Sequence, residues 1–251
     1  MIMYATNNSN LTRYLLFLFL CFSPIKAQHF ILITSLYNET HTERRQEYIT
    51  CLERNLQHPA IEHIHVVYDT SNDGAHNELL EYLKQQPVSI SYINDRPTFG
   101  YCFELASEQY PNRGILLSNA DIFFNKTLFL LENYDLTNKF LALTRWDVKE
   151  DGRLEIFKQY DKNGEFDPIS YLSQDVWIFM TPLKKFINPN FQLGTWACDG
   201  YIACQAYLSD LHVINPCLSI QCCHLHLSKI RHWIPQSIPG AKALLLPWCT
   251  L

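Results

Sequence analysis

The chain has 251 residues, of which 47% are hydrophobic and 18% are charged, and its formal net charge is -5 at pH 7. This length is sufficient for one large domain or two small ones with a buried core. The acidic balance and an isoelectric point near 6.0 argue against a general nucleic-acid binder, which would carry a basic surface.

Residues 1–27 have the composition of a targeting segment. Arg13 precedes a compact apolar run over 15–22, and small residues lead to a plausible cleavage point after Ala27. The run is shorter than the roughly 20 residues that a membrane-spanning helix needs. We therefore predict a secretory signal peptide, or alternatively a short membrane anchor, followed by a single domain over 28–251. This predicts a protein of the secretory pathway or an exported one, with membrane contact only through an uncleaved N-terminal segment.

The cysteine content agrees with export. The chain has nine cysteines, and Cys21 lies in the N-terminal segment. The even number that remains is consistent with disulfides in an oxidising compartment, although the pairing does not follow from the sequence.

Strand and helix patterns alternate over the first half of the remaining chain. Strands are predicted at 29–36, 61–68, 88–93 and 114–117, and helices at 42–57, 77–86 and 99–110. The first strand is nearly continuous in apolar residues, as is typical of parallel strands buried on both faces. The pattern predicts an α/β fold with a mostly parallel central sheet and helices on both faces. The second half is less regular, with strands predicted at 140–148, 175–180 and 211–214, a helix at 199–208, and a loop or hairpin at 150–167.

Each of the four early strands ends in polar side chains. Ligands of parallel α/β sheets bind outside the carboxyl ends of the strands, so these side chains predict a site at one sheet edge. No glycine-rich phosphate loop accompanies them, and a bound nucleotide diphosphate would need another source of positive charge, such as a metal ion held by a carboxylate. The polar residues at the strand ends are Thr34 and Tyr37, Asp69, Asn94 and Arg96, and Asn119 and Asp121.

Four stretches resemble nucleotide-diphospho-sugar transferases, the glycosyltransferases of the GT-A fold. They are ILITSLYNE in the first strand, LLSNADIFF in place of the Asp-x-Asp motif, WACDGYIACQA in place of the catalytic acidic motif, and CCHLHLS near the end. The resemblance implies a single GT-A (Rossmann-like) domain and a divalent metal, Mn²⁺ or Mg²⁺. It also implies transfer of a sugar from a UDP- or GDP-sugar to an acceptor hydroxyl. The acceptor, whether glycan, lipid or protein, stays open, and no nucleic-acid partner is expected.

The resemblance assigns a metal site. The last residue of the Asp-x-Asp motif binds the metal, and this falls on Asp121. Its first residue touches the donor and is Asn119 here, so one negative charge is lost. A histidine from the C-terminal region completes the site in many such enzymes, and His224 and His226 are the candidates. In a strand these two histidines would point to the same face.

The resemblance also assigns a catalytic base. In inverting members the acid that matches Asp199 deprotonates the acceptor hydroxyl, which a carboxylate within hydrogen-bond reach can do. Transfer with inversion is therefore expected. The alternative is that Asp199 caps the N-terminus of a helix.

Further donor contacts are expected from the strand ends. Asp69 is a candidate ligand of the base or ribose. Asn94 and Arg96 follow the third strand, where an arginine could pair with a phosphate. Thr34 and Tyr37 would line the base pocket, and Asp175 would contact the donor sugar. The structural alternatives are an ordinary turn aspartate for Asp69, a structural ion pair for Arg96, a core tyrosine for Tyr37 and an exposed strand-start aspartate for Asp175.

Three other interpretations stay open at this point. Cysteines and histidines are the ligands that zinc prefers, so a zinc site near the C-terminus is an alternative to the manganese site. The Asn-x-Asp variant is compatible with a non-catalytic secreted protein that binds a sugar or a nucleotide on the same scaffold. A nucleotidyltransferase can share this sheet, but the basic glycine-rich loop that it typically has after the first strand is missing. The residues of the zinc alternative are Cys217, Cys222, Cys223, His224 and His226.

Overall fold

A computed structural model of the chain describes residues 28–74, 77–232 and 234–251. The predicted signal peptide or anchor, 1–27, lies outside the described residues. Of the helices in the described ranges, none combines the length and the apolar character needed to cross a membrane.

The described helices and strands follow the alternation expected from the sequence. The strands are β1 (Phe30–Tyr37), β2 (Ile61–Asp69), β3 (Ser89–Ile93), β4 (Gly114–Ser118), β5 (Ile122–Phe124), β6 (Lys139–Leu143), β7 (Trp146–Val148), β8 (Leu154–Ile156), β9 (Val176–Met180), β10 (Thr195–Trp196), β11 (His212–Ile214), β12 (Cys222–His224) and β13 (Ile234–Ser237). The helices are α1 (Thr42–Leu56), α2 (Glu78–Leu83), α3 (Phe99–Gln109) and α4 (Cys198–Leu208), with 3₁₀ turns at Lys126–Leu131 and Pro168–Leu172.

The central sheet confirms the predicted fold class. Its strand order in the described part of the chain is β11-β6-β9-β4-β1-β2-β3. The pairs within β3-β2-β1-β4 are parallel, whereas β9 runs antiparallel to both β4 and β6. The carboxyl ends of β1, β2 and β4 therefore meet at one edge, as the polar strand ends predicted.

Helices cover both faces of this sheet because β1 is apolar on both sides. Alternate residues of the strand enter two different core clusters: Leu32 packs with Leu52 of α1, and Ile33 packs with Phe99 of α3. This alternation follows from the period of two in a strand. The α2 helix joins the first cluster and α4 joins the second.

The predicted strand at 140–148 is wrong in one respect, because it is two strands in two sheets. Thr144 interrupts it: its backbone N–H donates to Oδ1 of Asn215, and its hydroxyl donates to the carbonyl of Ser173. These contacts replace ladder hydrogen bonds, and the chain leaves the central sheet after β6. The next strand, β7, enters a second sheet of order β5-β12-β7-β8. The predicted hairpin or loop at 150–167 contributes β8 to that sheet.

The cysteines do not form the disulfides that the even count allowed. All eight described cysteines are free, and six of them are buried at 3% exposure or less among the core side chains, namely Cys51, Cys102, Cys198, Cys217, Cys222 and Cys223. Burial raises the pKa of Cys102 to about 12, which makes it an unreactive thiol of the hydrophobic core.

Candidate active site

A cavity of about 430 Å³ opens at the carboxyl edge of the central sheet. Eight of the sequence-predicted site residues line it: Tyr37, Asp69, Arg96, Asn119, Asp121, Asp175, His224 and His226. Three predicted residues, Thr34, Asn94 and Asp199, do not line it. Residues that the sequence did not single out as site residues also line it, among them Arg44, Tyr48, Arg145, Arg231 and His232.

The pairing of β5 with β12 brings Asp121 to His224. Asp121 ends the tight turn after β4, where the N–H of Ile122 donates to the carbonyl of Asn119 over 3.3 Å. Ile122 is the register partner of His224, and the carbonyl of Asp121 accepts from the N–H of Leu225 over 2.9 Å. As a result, Nε2 of His224 lies 3.0 Å from Oδ2 of Asp121.

His224 is held from both ring nitrogens. Its register partner on β7 is Asp147, whose Oδ1 lies 2.8 Å from His224 Nδ1. Burial lowers the pKa of His224, but the carboxylates of Asp121 and Asp147 outweigh burial and raise this pKa to about 9. For Asp121, burial raises the pKa, but the charges and hydrogen bonds of His224 and Arg44 outweigh burial and hold this pKa well below its usual range. The pair is therefore an imidazolium with a carboxylate at neutral pH.

Beside this pair, His226 places a ring nitrogen without a hydrogen-bond partner in the described part of the chain. Its Nε2 is buried and has no hydrogen-bond partner among the described residues. Burial, followed by the charge of Arg44, lowers its pKa to about 4, so the imidazole is neutral. The ligand atoms of Asp121, His224 and His226 lie within 4.8 Å of one another. A neutral imidazole and a carboxylate suit a divalent ion such as Mn²⁺, so these residues fit the metal that the resemblance implies.

Arg44 is the main site residue that the sequence did not reveal. It lies in the first turn of α1, and its Nη2 is 2.5 Å from Oδ2 of Asp121 while Nη1 is 2.8 Å from Oε2 of Glu47. Glu47 also accepts from the N–H and the hydroxyl of Ser228, over 2.7 and 2.9 Å. Arg44 therefore ties α1 both to the strand-edge carboxylate and, through Glu47, to the C-terminal region. No local pattern in the sequence marks Arg44, because its burial and its partners appear only in the folded chain.

The departure from the Asp-x-Asp motif has a structural explanation. Asn119 donates from Nδ2 to Oδ1 of Asp175 over 3.0 Å, and its N–H donates to the carbonyl of Asp175 over 3.1 Å. The other oxygen of Asp175 lies 3.3 Å from Nη1 of Arg145. An aspartate at position 119 would face the carboxylate of Asp175, whereas the amide of asparagine donates to it.

Asp199 lies in the first turn of α4, where it does not cap the helix. The N-cap is Ala197, with φ at 62°, and no side chain caps this helix. Oδ1 of Asp199 accepts from the thiol of Cys198 over 3.1 Å. Burial and then the charge of Asp175 raise the pKa of Asp199 to about 7. The capping alternative is therefore wrong, while the role of a base stays a prediction.

Gly200 and Trp196 lie close to Asp199 in the sequence but have different surroundings in the fold. A Cβ atom on Gly200 would lie 2.7 Å from Cδ2 of Leu172 and 3.0 Å from Cβ of Ala243, so a larger residue there would require these side chains to move. Trp196 lines the cavity and is 57% exposed. It is the part of this segment that borders the cavity.

Asp69 and Arg96 are two of the predicted donor contacts that line the cavity. Asp69 is buried, and its Oδ1 accepts from the N–H of Ser71 over 2.8 Å, as in a turn. Arg96 donates to the carbonyls of Leu193 and His232 over 3.4 and 3.0 Å.

Thr34 and Asn94 lie away from the cavity wall. The hydroxyl of Thr34 is buried and donates to the carbonyl of Ser118 over 3.1 Å. Asn94 is exposed. Neither residue lines the cavity as the strand-end pattern predicted.

The zinc alternative at the C-terminal cysteines is wrong. Cys222 packs in the first core cluster, whereas Cys223 lies on the other face of β12 beside Cys51 and Phe123. This separation follows from the period of two in a strand. No group of potential metal ligands within the described residues includes a cysteine.

No protein-family model and no curated protein sequence matches this chain. Solved structures resemble it. GalNAc-T7 with UDP, GalNAc and Mn2+ superposes with a TM-score of 0.52 at 12% identity, over 84% of this chain and 46% of that one. The mannosyltransferase PcManGT from Pyrobaculum calidifontis, in complex with GDP-Man and Mn2+, gives 0.49 at 14% identity, over 86% of this chain and 64% of that one. TarS 1-349 from S. aureus, in complex with UDP-GlcNAc, gives 0.45 at 18% identity, over 79% of this chain and 56% of that one.

The likeness to GalNAc-T7 establishes the fold. The domain has the GT-A, Rossmann-like fold, and the resemblance predicted from the four sequence stretches is confirmed at that level. The chain spans between 46% and 64% of the length of these three proteins.

Proposed function

We propose that this protein is a glycosyltransferase that moves a sugar from a nucleotide-diphosphate sugar to an acceptor hydroxyl. The observation that carries the proposal is the cluster of Asp121, His224 and His226 at the carboxyl edge of the sheet, with the unpartnered Nε2 of His226. Ligands of parallel α/β sheets bind at this edge. The presence of UDP, GalNAc and Mn2+ in the complex of GalNAc-T7 supports the same donor class here.

The charge around the cavity suits a diphosphate. A Mn²⁺ or Mg²⁺ ion held by Asp121, His226 and deprotonated His224 would stabilise the negative charge that develops on the leaving diphosphate. Arg96 and Arg231 border the cavity, and guanidinium groups pair well with phosphate oxygens. Tyr37 and Asp69 then remain for the ribose and the base of a UDP- or GDP-sugar.

Asp199 is the proposed base, and transfer would then invert the anomeric centre. Its pKa of about 7 lies close to a neutral working pH, which is favourable for a general base. Because Trp196 rather than Asp199 lines the cavity, an acceptor hydroxyl would approach beside the indole ring. The acceptor would meet its donor in a compartment of the secretory pathway or after export.

A thermal-shift panel of UDP- and GDP-sugars, with and without Mn²⁺, tests the proposal. A ligand that binds only the native state raises the melting temperature, so at least one nucleotide sugar should stabilise the protein in a Mn²⁺-dependent manner. Release of nucleoside diphosphate in the presence of acceptor sugars then measures transfer. Stabilisation without turnover would favour the non-catalytic binding protein, and release of pyrophosphate from a nucleoside triphosphate would favour a nucleotidyltransferase. Stabilisation by none of the nucleotide sugars would contradict the proposal.

A further inference from the structure

We infer that Glu39, His41 and His232 form a second divalent-metal site, of the kind that zinc prefers, at the rim of the cavity. Their ligand atoms lie within 4.8 Å of one another. Two imidazoles and one carboxylate are a common zinc ligand set that leaves a fourth position open for water. This inference does not depend on the proposed glycosyl transfer.

Glu39 has the properties of a prepared ligand. It is only 1% exposed, and a buried carboxylate is costly unless it is paired. Its Oε1 accepts from the N–H of His41 over 2.9 Å, and its Oε2 accepts from the hydroxyl of Tyr37 over 3.1 Å. Such hydrogen bonds from surrounding groups orient the carboxylates of metal sites.

The two histidines converge on this carboxylate from distant parts of the chain. Nε2 of His232 lies 3.0 Å from Oε2 of Glu39. The ring of His41 stacks on the ring of His232, with centroids 5.9 Å apart and an interplanar angle of 24°. Both rings are exposed, and His41 makes no side-chain hydrogen bond within the described residues. An ion can therefore reach both imidazoles from solvent.

This cluster is separate from the one at Asp121. Glu39 and His41 follow β1, whereas Asp121 follows β4. A chain of hydrogen bonds connects the two: Tyr37 contacts the hydroxyl of Tyr48 over 3.0 Å, and Tyr48 accepts from Nε of Arg44 over 3.1 Å. A bound ion would join His232, which lines the cavity, to the end of β1 and so hold this part of the rim in place.

The test measures how many zinc ions the full chain binds, by equilibrium dialysis against buffered Zn²⁺ without nucleotide. Wild type should bind one ion at each cluster, and His41→Ala, His232→Gln and Glu39→Gln should each lose one ion or bind it at least ten-fold more weakly. His212→Ala, which removes an exposed histidine elsewhere, should bind as much as wild type. Asp121→Asn should keep the ion at Glu39 and lose the other.

Circular dichroism confirms that each variant is folded, and the exposed position of His41 makes His41→Ala the least disruptive of them. Replacement of Zn²⁺ by Co²⁺ adds a spectroscopic readout, because tetrahedral Co²⁺ absorbs in the visible and His41→Ala should reduce that absorption. Zinc binding that is equal in wild type, His41→Ala and His232→Gln would overturn the inference. The same conclusion would follow if Asp121→Asn bound no zinc.

Discussion

Nη2 of Arg44 lies 2.5 Å from Oδ2 of Asp121, so the carboxylate that we propose as a metal ligand already has a cationic partner. Arg44→Met would leave both Asp121 and Glu47 without this guanidinium. We expect the free energy of unfolding to fall by about 3–5 kcal/mol, as when one partner of a buried ion pair is removed. Urea denaturation in the absence of metal measures the loss.

The matched control for Arg44→Met is Arg153→Met. Arg153 pairs with Asp151 on the surface, where an ion pair contributes little, so stability should hardly change. Mn²⁺ should raise the melting temperature of Arg44→Met more than that of wild type, because the ion replaces the lost positive charge. Equal losses in the two arginine variants would contradict the role given to Arg44.

The charge state of His224 makes stability depend on pH. Its pKa in the folded protein is about 9, above the ordinary value near 6.5. The stabilisation by the imidazolium is therefore complete below about pH 6.5 and is lost as the pH rises through about 9. Wild type should lose stability over this interval in metal-free buffer, whereas His224→Gln should show a flatter profile.

Metal binding should have the opposite dependence on pH. Because a ligating imidazole must be neutral, Mn²⁺ would displace the proton of His224, and its affinity should rise from about pH 6.5 to about pH 9. Calorimetric titration in buffers of different ionisation enthalpy measures the proton that is released. Binding of Mn²⁺ without proton release at neutral pH would show that His224 is not a ligand.

Asn119→Asp restores the two aspartates of the Asp-x-Asp motif, yet we expect it to reduce stability and Mn²⁺-dependent binding of the donor. The new carboxylate would lie where Asn119 now donates to Asp175 over 3.0 Å, and two like charges at this separation cannot both ionise freely. Thermal unfolding and donor titration measure both effects. A variant with higher stability and tighter donor binding than wild type would contradict this explanation of the asparagine.

The strand-end pattern was sufficient to predict the edge at which the site lies, because each early strand runs from an apolar core into polar residues. It did not distinguish side chains by direction, and so it included Thr34, whose hydroxyl bonds within the sheet. Arg44 and Asp147 reach the site through a helix and through the second sheet. Both depend on packing between segments far apart in the chain, which local patterns do not encode.

The position of Asp199 shows the same limit. An aspartate near a predicted helix start is compatible with a cap and with a base, and only the backbone decides that Ala197 is the N-cap. Gly200 is explained by Leu172 and Ala243, which approach it from other parts of the chain. Neither neighbour is predictable from the spacing of residues around position 200.

Asp199→Asn should abolish transfer while the donor still binds. In wild type, kcat/KM should rise as the pH passes through about 7, because the base acts when ionised and the pKa of Asp199 is about 7. Asp210→Asn, an exposed change beyond the other end of α4, is the control and should keep wild-type rates. Turnover by Asp199→Asn at a rate near that of wild type would remove Asp199 from the role of base.

The most direct test of the proposed metal-assisted donor site is calorimetric titration of UDP- and GDP-sugars into wild type, Asp121→Asn and the surface control Asp135→Asn, each with and without Mn²⁺. Wild type and Asp135→Asn should bind at least one nucleotide sugar in a Mn²⁺-dependent manner, and Asp121→Asn should lose at least ten-fold in affinity. Equal Mn²⁺-dependent affinity in all three proteins, or binding of no nucleotide sugar by wild type, would contradict the proposed donor site.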